Sequence, residues 1–326
     1  MNILVTGAAG FIGSHLAERL ADLGHAVRGL DCLTDFYARA LKELNVAALE
    51  RRGIPVLPLD LAADDLREAV RDVEIVVHSA AQPGLSATTT FETYARNNIT
   101  ATYRLFEAVR GSPALRGFVN ISTSSVYGAV ATGSETTEPQ PTSYYGVTKL
   151  AAEQLVLAAA RAQGFPACSV RLFSVYGPRE RPEKLYPKLI RAILEDRPFP
   201  LFEGSEHHRR SYTYVSDAVD GLVAVLDHAD VFHPLEQCVG EIFNIGSDTC
   251  ITTGEGIRIV EEIIGRPARI EVKPRRSGDQ LETHANIEKA RRVLGYDPTT
   301  PPREGLAREV EWYRQDILGK IGGWKA

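Results

Sequence analysis

Close to its start the chain carries a short apolar run, Asn2 to Thr6, then Gly7-Ala8-Ala9-Gly10-Phe11-Ile12-Gly13, then the helical pattern Ser14 to Leu23. Strand, glycine turn and helix in direct succession begin a βαβ unit, which needs a parallel sheet. The glycines let the backbone turn tightly and approach a pyrophosphate, while the helix N-terminus offers free N–H groups and a positive dipole end. The spacing is Gly-x-x-Gly-x-x-Gly rather than Gly-x-Gly-x-x-Gly. Such a trio also occurs as a plain turn, but its place at the first strand-helix junction favours dinucleotide binding. Asp31 ends the second apolar run, Ala26 to Leu30, at a point suited to accepting from both ribose hydroxyls. Its charge would repel a 2′-phosphate, so NAD is expected rather than NADP.

Alternation continues through the first half. Ile3 to Val5, Ala26 to Leu30, Val56 to Leu59, Ile75 to Val77, Gly117 to Ile121 and Ala167 to Leu172 read as strands with helical stretches between them. This predicts an α/β fold, a doubly wound parallel (Rossmann) sheet with ligands outside the carboxyl ends of the strands. After Phe173, proline and glycine punctuation becomes denser: Ser174 to Pro182 reads as a loop, Leu185 to Leu194 as a helix and Glu241 to Gly246 as another strand. Glu255 to Gly265, Ile287 to Leu294 and Pro302 to Tyr313 read as helices. The expected division is a dinucleotide-binding domain of residues 1–173 plus about 215–250, and a smaller, discontinuous lobe of about 174–214 plus 251–326.

Between the last strands of the first domain lies Ser143-Tyr-Tyr-Gly-Val-Thr-Lys-Leu-Ala-Ala-Glu153. On a helix, Tyr145 and Lys149 share one face. A free phenol has a pKa of about 10, too high for a base near neutrality, and a cation within about 4–6 Å favours the phenolate. The spacing therefore suggests a phenol activated by an amine. The same pair elsewhere is often a packed tyrosine and a solvated lysine, so its neighbours decide.

Those neighbours resemble the extended short-chain dehydrogenase/reductase superfamily, in its nucleotide-sugar epimerase and dehydratase branch, over nearly the whole chain. The run Ser122-Thr-Ser-Ser-Val-Tyr-Gly128 is similar to that family's Ser-Thr-x-x-Val-Tyr-Gly, which makes Thr123 the third catalytic member beside Tyr145 and Lys149. The resemblance implies that Asp60 with Leu61 meets the adenine, that Ala80-Ala81-Gln82 lines the dinucleotide, and that Asn98, in the helical segment Asn97 to Arg110, orients the cofactor side. It also implies that Arg210, and Arg276 in Arg275-Arg276-Ser277-Gly278-Asp279, reach the phosphates of a UDP-sugar, with Asp279 beside them. Arginine suits this because its planar fork donates two bonds to one phosphate.

Dehydratases of the family carry Asp-Glu after the motif threonine, and decarboxylases Ser-Glu. Ser124 and Ser125 stand there in this chain, so C4 inversion through a ketone is expected rather than elimination or loss of CO2. The stretches Asp31 to Lys42 and Tyr176-Gly-Pro-Arg-Glu-Arg-Pro182 look like those of UDP-glucuronate 4-epimerases, in which the matching Thr123, Ser124, Ser125, Ser174 and Arg181 hold the substrate carboxylate. Two departures from that pattern stand out: Ser86 replaces a frequent Arg, and Glu183-Lys184 replaces Asp-Met. The alternatives are a UDP-glucose 4-epimerase on neutral hexoses, a uronate decarboxylase or sugar dehydratase, and a non-catalytic NAD-binding sensor. The resemblance further implies a homodimer through the helices beginning near Asn98 and Tyr145.

Composition narrows the partners. A net charge of −5 leaves no basic surplus for nucleic acid. No apolar run reaches about 18 residues, so no membrane partner is expected. Cys32, Cys168, Cys238 and Cys250 have no metal-ligand spacing, which predicts no metal and reduced thiols. Without a charged and apolar leader, the expected location is cytoplasmic.

Overall fold

The computed structural model describes residues 1–84, 88–230, 238–275 and 282–321. Seven strands form the main sheet: β1 Asn2–Thr6, β2 Ala26–Leu30, β3 Val56–Leu57, β4 Ile75–His78, β5 Gly117–Thr123, β6 Ala167–Leu172 and β7 Ile242–Ile245. Every pairing is parallel, in the order β3-β2-β1-β4-β5-β6-β7. The direction of winding therefore reverses between β1 and β4, which opens a crevice at their carboxyl ends. All seven lie where the apolar runs placed them, because strands covered on both faces are mostly apolar. The third is shorter than expected. Pro58 has no N–H to donate, so the ladder stops at Leu57.

Alternate side chains feed two cores. Ile3, Val5, Ile75, Val77, Val119 and Ile121 join one cluster with Leu16 and Leu20 of α1 (Phe11–Asp22), Leu41 and Leu49 of α2 (Arg39–Arg51) and residues of the helix Val215–Asp230. Leu4, Val76 and Phe118 join the other with Leu105 and Phe106 of α3 (Ala101–Val109) and Val156 and Leu157 of α4 (Tyr144–Gln163). The first cluster also takes in Tyr176, Phe199, Ile257 and Val310, so the smaller lobe shares a core with one face of the sheet.

In that lobe Pro198–Phe202 pairs in parallel with Arg269–Lys273. Arg209–Arg210 pairs with Ile251–Thr252 and with Glu282–Thr283, which in turn pairs with Val130–Ala131 just past β5. Segments before and after β7 thus close on each other. The expected helices at Leu185–Leu194, Thr253–Ile264, Glu288–Leu294 and Pro302–Trp312 are present. Within the expected loop Ser174 to Pro182, Val175–Tyr176 pairs with Thr213–Tyr214 as a short strand. Among the described residues no helix is long and apolar enough to cross a membrane.

Helix α4 is fastened at both ends and in the middle. Ser143 Oγ accepts from the Gly146 N–H at 3.1 Å, and Gly164 closes the helix in the left-handed conformation. Glu153 faces inward, where Arg171 of β6 donates to it from Nη2 at 2.6 Å and from Nε at 3.0 Å. Both side chains are essentially without solvent contact. Arg171 also lies over the Tyr127 ring at 4.8 Å, and the Tyr127 hydroxyl donates to Asn244 of β7 at 2.8 Å. Truncating Glu153→Ala would strand the Arg171 charge in the core. We expect a loss of about 3–5 kcal/mol, read as a fall in the urea midpoint.

Candidate functional site

A cavity of about 630 Å³ lies along the carboxyl edge of the sheet, between the sheet and the smaller lobe. At one end it is walled by Gly7, Gly10, Phe11, Ile12 and Gly13. Gly7 has φ +72°, its N–H donates to Leu30 O at 2.7 Å, and a Cβ there would stand 2.8 Å from the Ala80 nitrogen. A Cβ at Gly13 would fall 2.2 Å from the Gly7 carbonyl. The turn therefore exists only because both positions lack side chains. Helix α1 starts at Gly10 without a side-chain cap, which leaves its first N–H groups free for an anion.

Asp31 stands at the end of β2 in the same wall, accepting from the Leu33 N–H at 2.8 Å and the Ala9 N–H at 3.2 Å. Lys42 Nζ lies 3.7 Å from its Oδ1, with both side chains buried. Lys42 and Asn45, which donates to Ala9 O at 2.9 Å, went unassigned in the sequence reading. Their signal was there: two polar residues share the buried face of α2 with Leu41 and Leu49. Asp60, Leu61, Ala80, Ala81 and Gln82 complete this wall, with Asp60 bonded to Arg96 at 2.7 Å. Glycine cradle, uncapped helix and terminal carboxylate together fit a dinucleotide whose ribose is unphosphorylated.

Asn98 sits differently from its neighbours. It is 1% exposed and lies behind the wall, where its Oδ1 accepts from the Gln82 N–H at 2.7 Å and its Nδ2 donates to Thr148 Oγ1 at 3.0 Å. It ties the loop after β4 to α4, while adjacent Asn97 lines the cavity. The helix expected from Asn97 begins earlier, at Phe91, and runs through a π-helical turn, Ala95–Thr100, that carries both asparagines. A π turn widens the helix by one residue and re-aims the side chains in it.

At the middle of the cavity stand Thr123, Ser124, Ser125, Tyr145 and Lys149. Thr123 ends β5, and its Oγ1 accepts from the Ser125 N–H at 3.1 Å, which folds the serines back into the site. Burial pushes the Tyr145 phenol up; the Thr123 hydroxyl, hydrogen-bonded to it, and the Arg181 guanidinium pull it back without overcoming that effect. Burial pushes the Lys149 ammonium down to about 8, and Glu153, one turn further along α4, works the other way. The Tyr-x-x-x-Lys spacing assigned activation of the phenol to the lysine alone. The structure does not bear this out: burial leaves the phenol above its ordinary value, and the groups that oppose burial are Thr123 and Arg181, which reach it from other segments, rather than Lys149.

Ser174, Arg181 and Arg210 line the far end, with Glu180, Glu183 and Lys184. Burial pushes Glu180 up to about 8, against the opposing charges of Lys184 and Arg181. The loop bearing Arg181 is clipped to α1: His15 Nε2 lies 2.9 Å from Pro178 O, and Arg179 pairs with Glu18 at 2.9 Å. Arg276 and Asp279, and the departure at Ser86, lie outside the described residues.

Residues 3–246 match the model of the NAD dependent epimerase/dehydratase family. A Bacillus subtilis (strain 168) protein named as an uncharacterized UDP-glucose epimerase, YtcB, is 38% identical over 96% of this chain and 98% of its own length. UDP-glucuronate 4-epimerase 3 of Arabidopsis thaliana is 34% identical, over 99% of this chain and 78% of its own. The crystal structure of UDP-glucuronic acid 4-epimerase from Bacillus cereus, in complex with UDP-glucuronic acid and NAD, superposes with a TM-score of 0.90 at 36% identity, covering 97% of this chain and 99% of that one.

The lysine yields a test that does not depend on activity. Its folded pKa of about 8 lies below the ordinary value of 10.5, so below pH 8 the folded state carries a charge that burial disfavours. Lys149→Met removes a cost of about 3 kcal/mol. The cofactor-free variant should melt above the parent at pH 7. The gain should shrink as pH rises through 8, where the parent's buried amine begins to lose its proton, and vanish near 10.5, where the unfolded lysine does so too.

Proposed function

From the premise that the chain belongs to the NAD dependent epimerase/dehydratase family, we propose that it inverts C4 of a UDP-sugar through a transient 4-keto sugar, interconverting UDP-glucuronate and UDP-galacturonate. The observation that carries this reading is the joining, in one cavity, of the glycine cradle, the Thr123, Tyr145 and Lys149 trio, and a hydroxyl-rich loop with Arg181 at the far end. The Bacillus cereus enzyme, crystallised with UDP-glucuronic acid and NAD, supports the same substrate and cofactor classes.

NAD would be held by Gly7 to Gly13, Asp31, Asp60 to Leu61 and Ala80 to Gln82, and when bound would supply reversible hydride acceptance. Tyr145 accepts the C4 hydroxyl proton and later returns it to the inverted alkoxide. Thr123 hydrogen-bonds the reacting oxygen and stabilises the phenolate. Lys149 contributes a buried positive charge beside that proton transfer and a donor for the nicotinamide ribose. Between the two proton transfers the sugar turns about its diphosphate, which Arg210 and the lobe hold. A 4-keto uronate is a β-keto acid prone to lose CO2. Ser124, Ser125, Ser174 and Arg181 restrain its carboxylate, and the serines provide no acid to assist its departure.

On this reading residues 1–173 plus about 215–250 hold the dinucleotide, and about 174–214 plus 251–326 hold the nucleotide sugar. Parallel pairing of Ile242–Ile245 with Ala167–Leu172 supports that division. The protein acts as a cytoplasmic homodimer, where UDP-sugars and NAD are available. Phe91, Tyr103, Tyr144 and Val147 leave an exposed apolar row near the starts of the two long helical segments, which favours a helix-on-helix contact.

The purified protein should be incubated with UDP-glucuronate, UDP-glucose and UDP-xylose. Conversion of UDP-glucuronate to its C4 epimer without CO2 release is expected, and Tyr145→Phe should lower kcat by at least about 100-fold. Turnover of UDP-glucose with none of UDP-glucuronate would reject the carboxylate pocket.

A further inference from the structure

Arg181 is a fixed cation. Its guanidinium lies over the Phe36 ring at 5.8 Å and beside Gly84, where a Cβ would come within 3.2 Å of Nη2. Glu183 meets it from the cavity wall, with Oε1 2.8 Å from Nη1. The two side chains are 14% and 30% exposed, so the carboxylate is the more accessible partner. The contact is close but poorly aligned. Among the described residues, Arg181 Nη1 and Glu183 Oε2 are buried atoms without a hydrogen-bond partner. Both residues line the end of the cavity that holds Ser174.

We propose that Glu183 is a specificity-determining residue, setting the choice between a sugar with a C6 carboxylate and one with a C6 hydroxymethyl; the inference rests on the UDP-sugar reading above. A uronate carboxylate seeks the same guanidinium that Glu183 occupies. It must turn Glu183 aside or share one cation with it, and the like charges oppose that arrangement. A neutral hexose meets no such competitor, because its C6 hydroxymethyl carries no charge. The chain therefore handles UDP-glucose as well as UDP-glucuronate, with Glu183 narrowing the advantage that Arg181 would otherwise confer on the acid.

The test compares NAD-loaded parent protein with Glu183→Gln and Glu183→Asp, measuring Kd by calorimetry and KM and kcat by turnover for UDP-glucuronate and UDP-glucose. Gln keeps the shape and removes the charge. It should tighten UDP-glucuronate about 5- to 20-fold relative to UDP-glucose, in Kd and KM more than in kcat. Asp keeps the charge but shortens its reach, and should move the ratio the same way by a smaller factor. An unmoved ratio of Kd values in the Gln variant overturns the inference, whatever the turnover. A moved ratio in a protein that converts neither sugar keeps it and sinks the epimerase reading instead.

Discussion

The site depends on a pair of opposite charges that never meets water. Glu153 of α4 and Arg171 of β6 bind each other through two hydrogen bonds, both under 2% exposed. Such a pair adds little net stability, because desolvating both ions offsets most of their attraction. Its effect is geometric. A helix resting on a sheet through apolar contacts alone tolerates small rotations and slides, whereas a two-bond fork admits one orientation. Since Lys149 and Tyr145 lie one and two turns before Glu153 on the same face, fixing that fork fixes where both point. The Tyr127 ring beneath Arg171, bonded onward to Asn244, carries the same restraint from β6 to β7.

The electrostatics of the cavity follow from burial opposed by chosen neighbours. Burial disfavours every charged form, so it moves the phenol of Tyr145 and the carboxyl of Glu180 up and the amine of Lys149 down. Each is partly corrected by a group of opposite tendency: Thr123 and Arg181 for the phenol, Lys184 and Arg181 for Glu180, Glu153 for the amine. Arg181 serves two of these balances while it contacts Glu183. Arg181, Lys184 and Arg210 outnumber Glu180 and Glu183 at the far end, which suits a ligand carrying a diphosphate.

Much of the architecture was legible before folding was considered. Strands buried on both faces read as largely apolar runs, and all seven of the sheet overlap the runs read from the sequence, with β4 and β5 extending past theirs to His78 and Thr123. Helix ends were legible where a glycine marks them, as at Gly265. The start at Phe91 was not, since its cap, Thr90, precedes a polar stretch without a clear apolar stripe. The π turn at Ala95–Thr100 was invisible as well, because one widened turn leaves helical periodicity intact. Lys42 was passed over because a lysine is ordinarily a surface residue, and only its place on the inward face of α2 against Asp31 shows otherwise.

What the chain determines locally, its sequence alone reveals: a glycine turn that no side chain can enter, strands that no water can cover, and Tyr145 and Lys149 one helical turn apart. These follow from steric and periodic rules that act over a few residues. Tertiary structure alone decided which groups surround the phenol, that Asn98 braces the wall from behind, and that Glu183 occupies Arg181. Burial and Coulomb forces depend on distance in space, and the segments that supply Thr123, Arg181 and Asn98 come together only when the sheet and the smaller lobe close over one cavity.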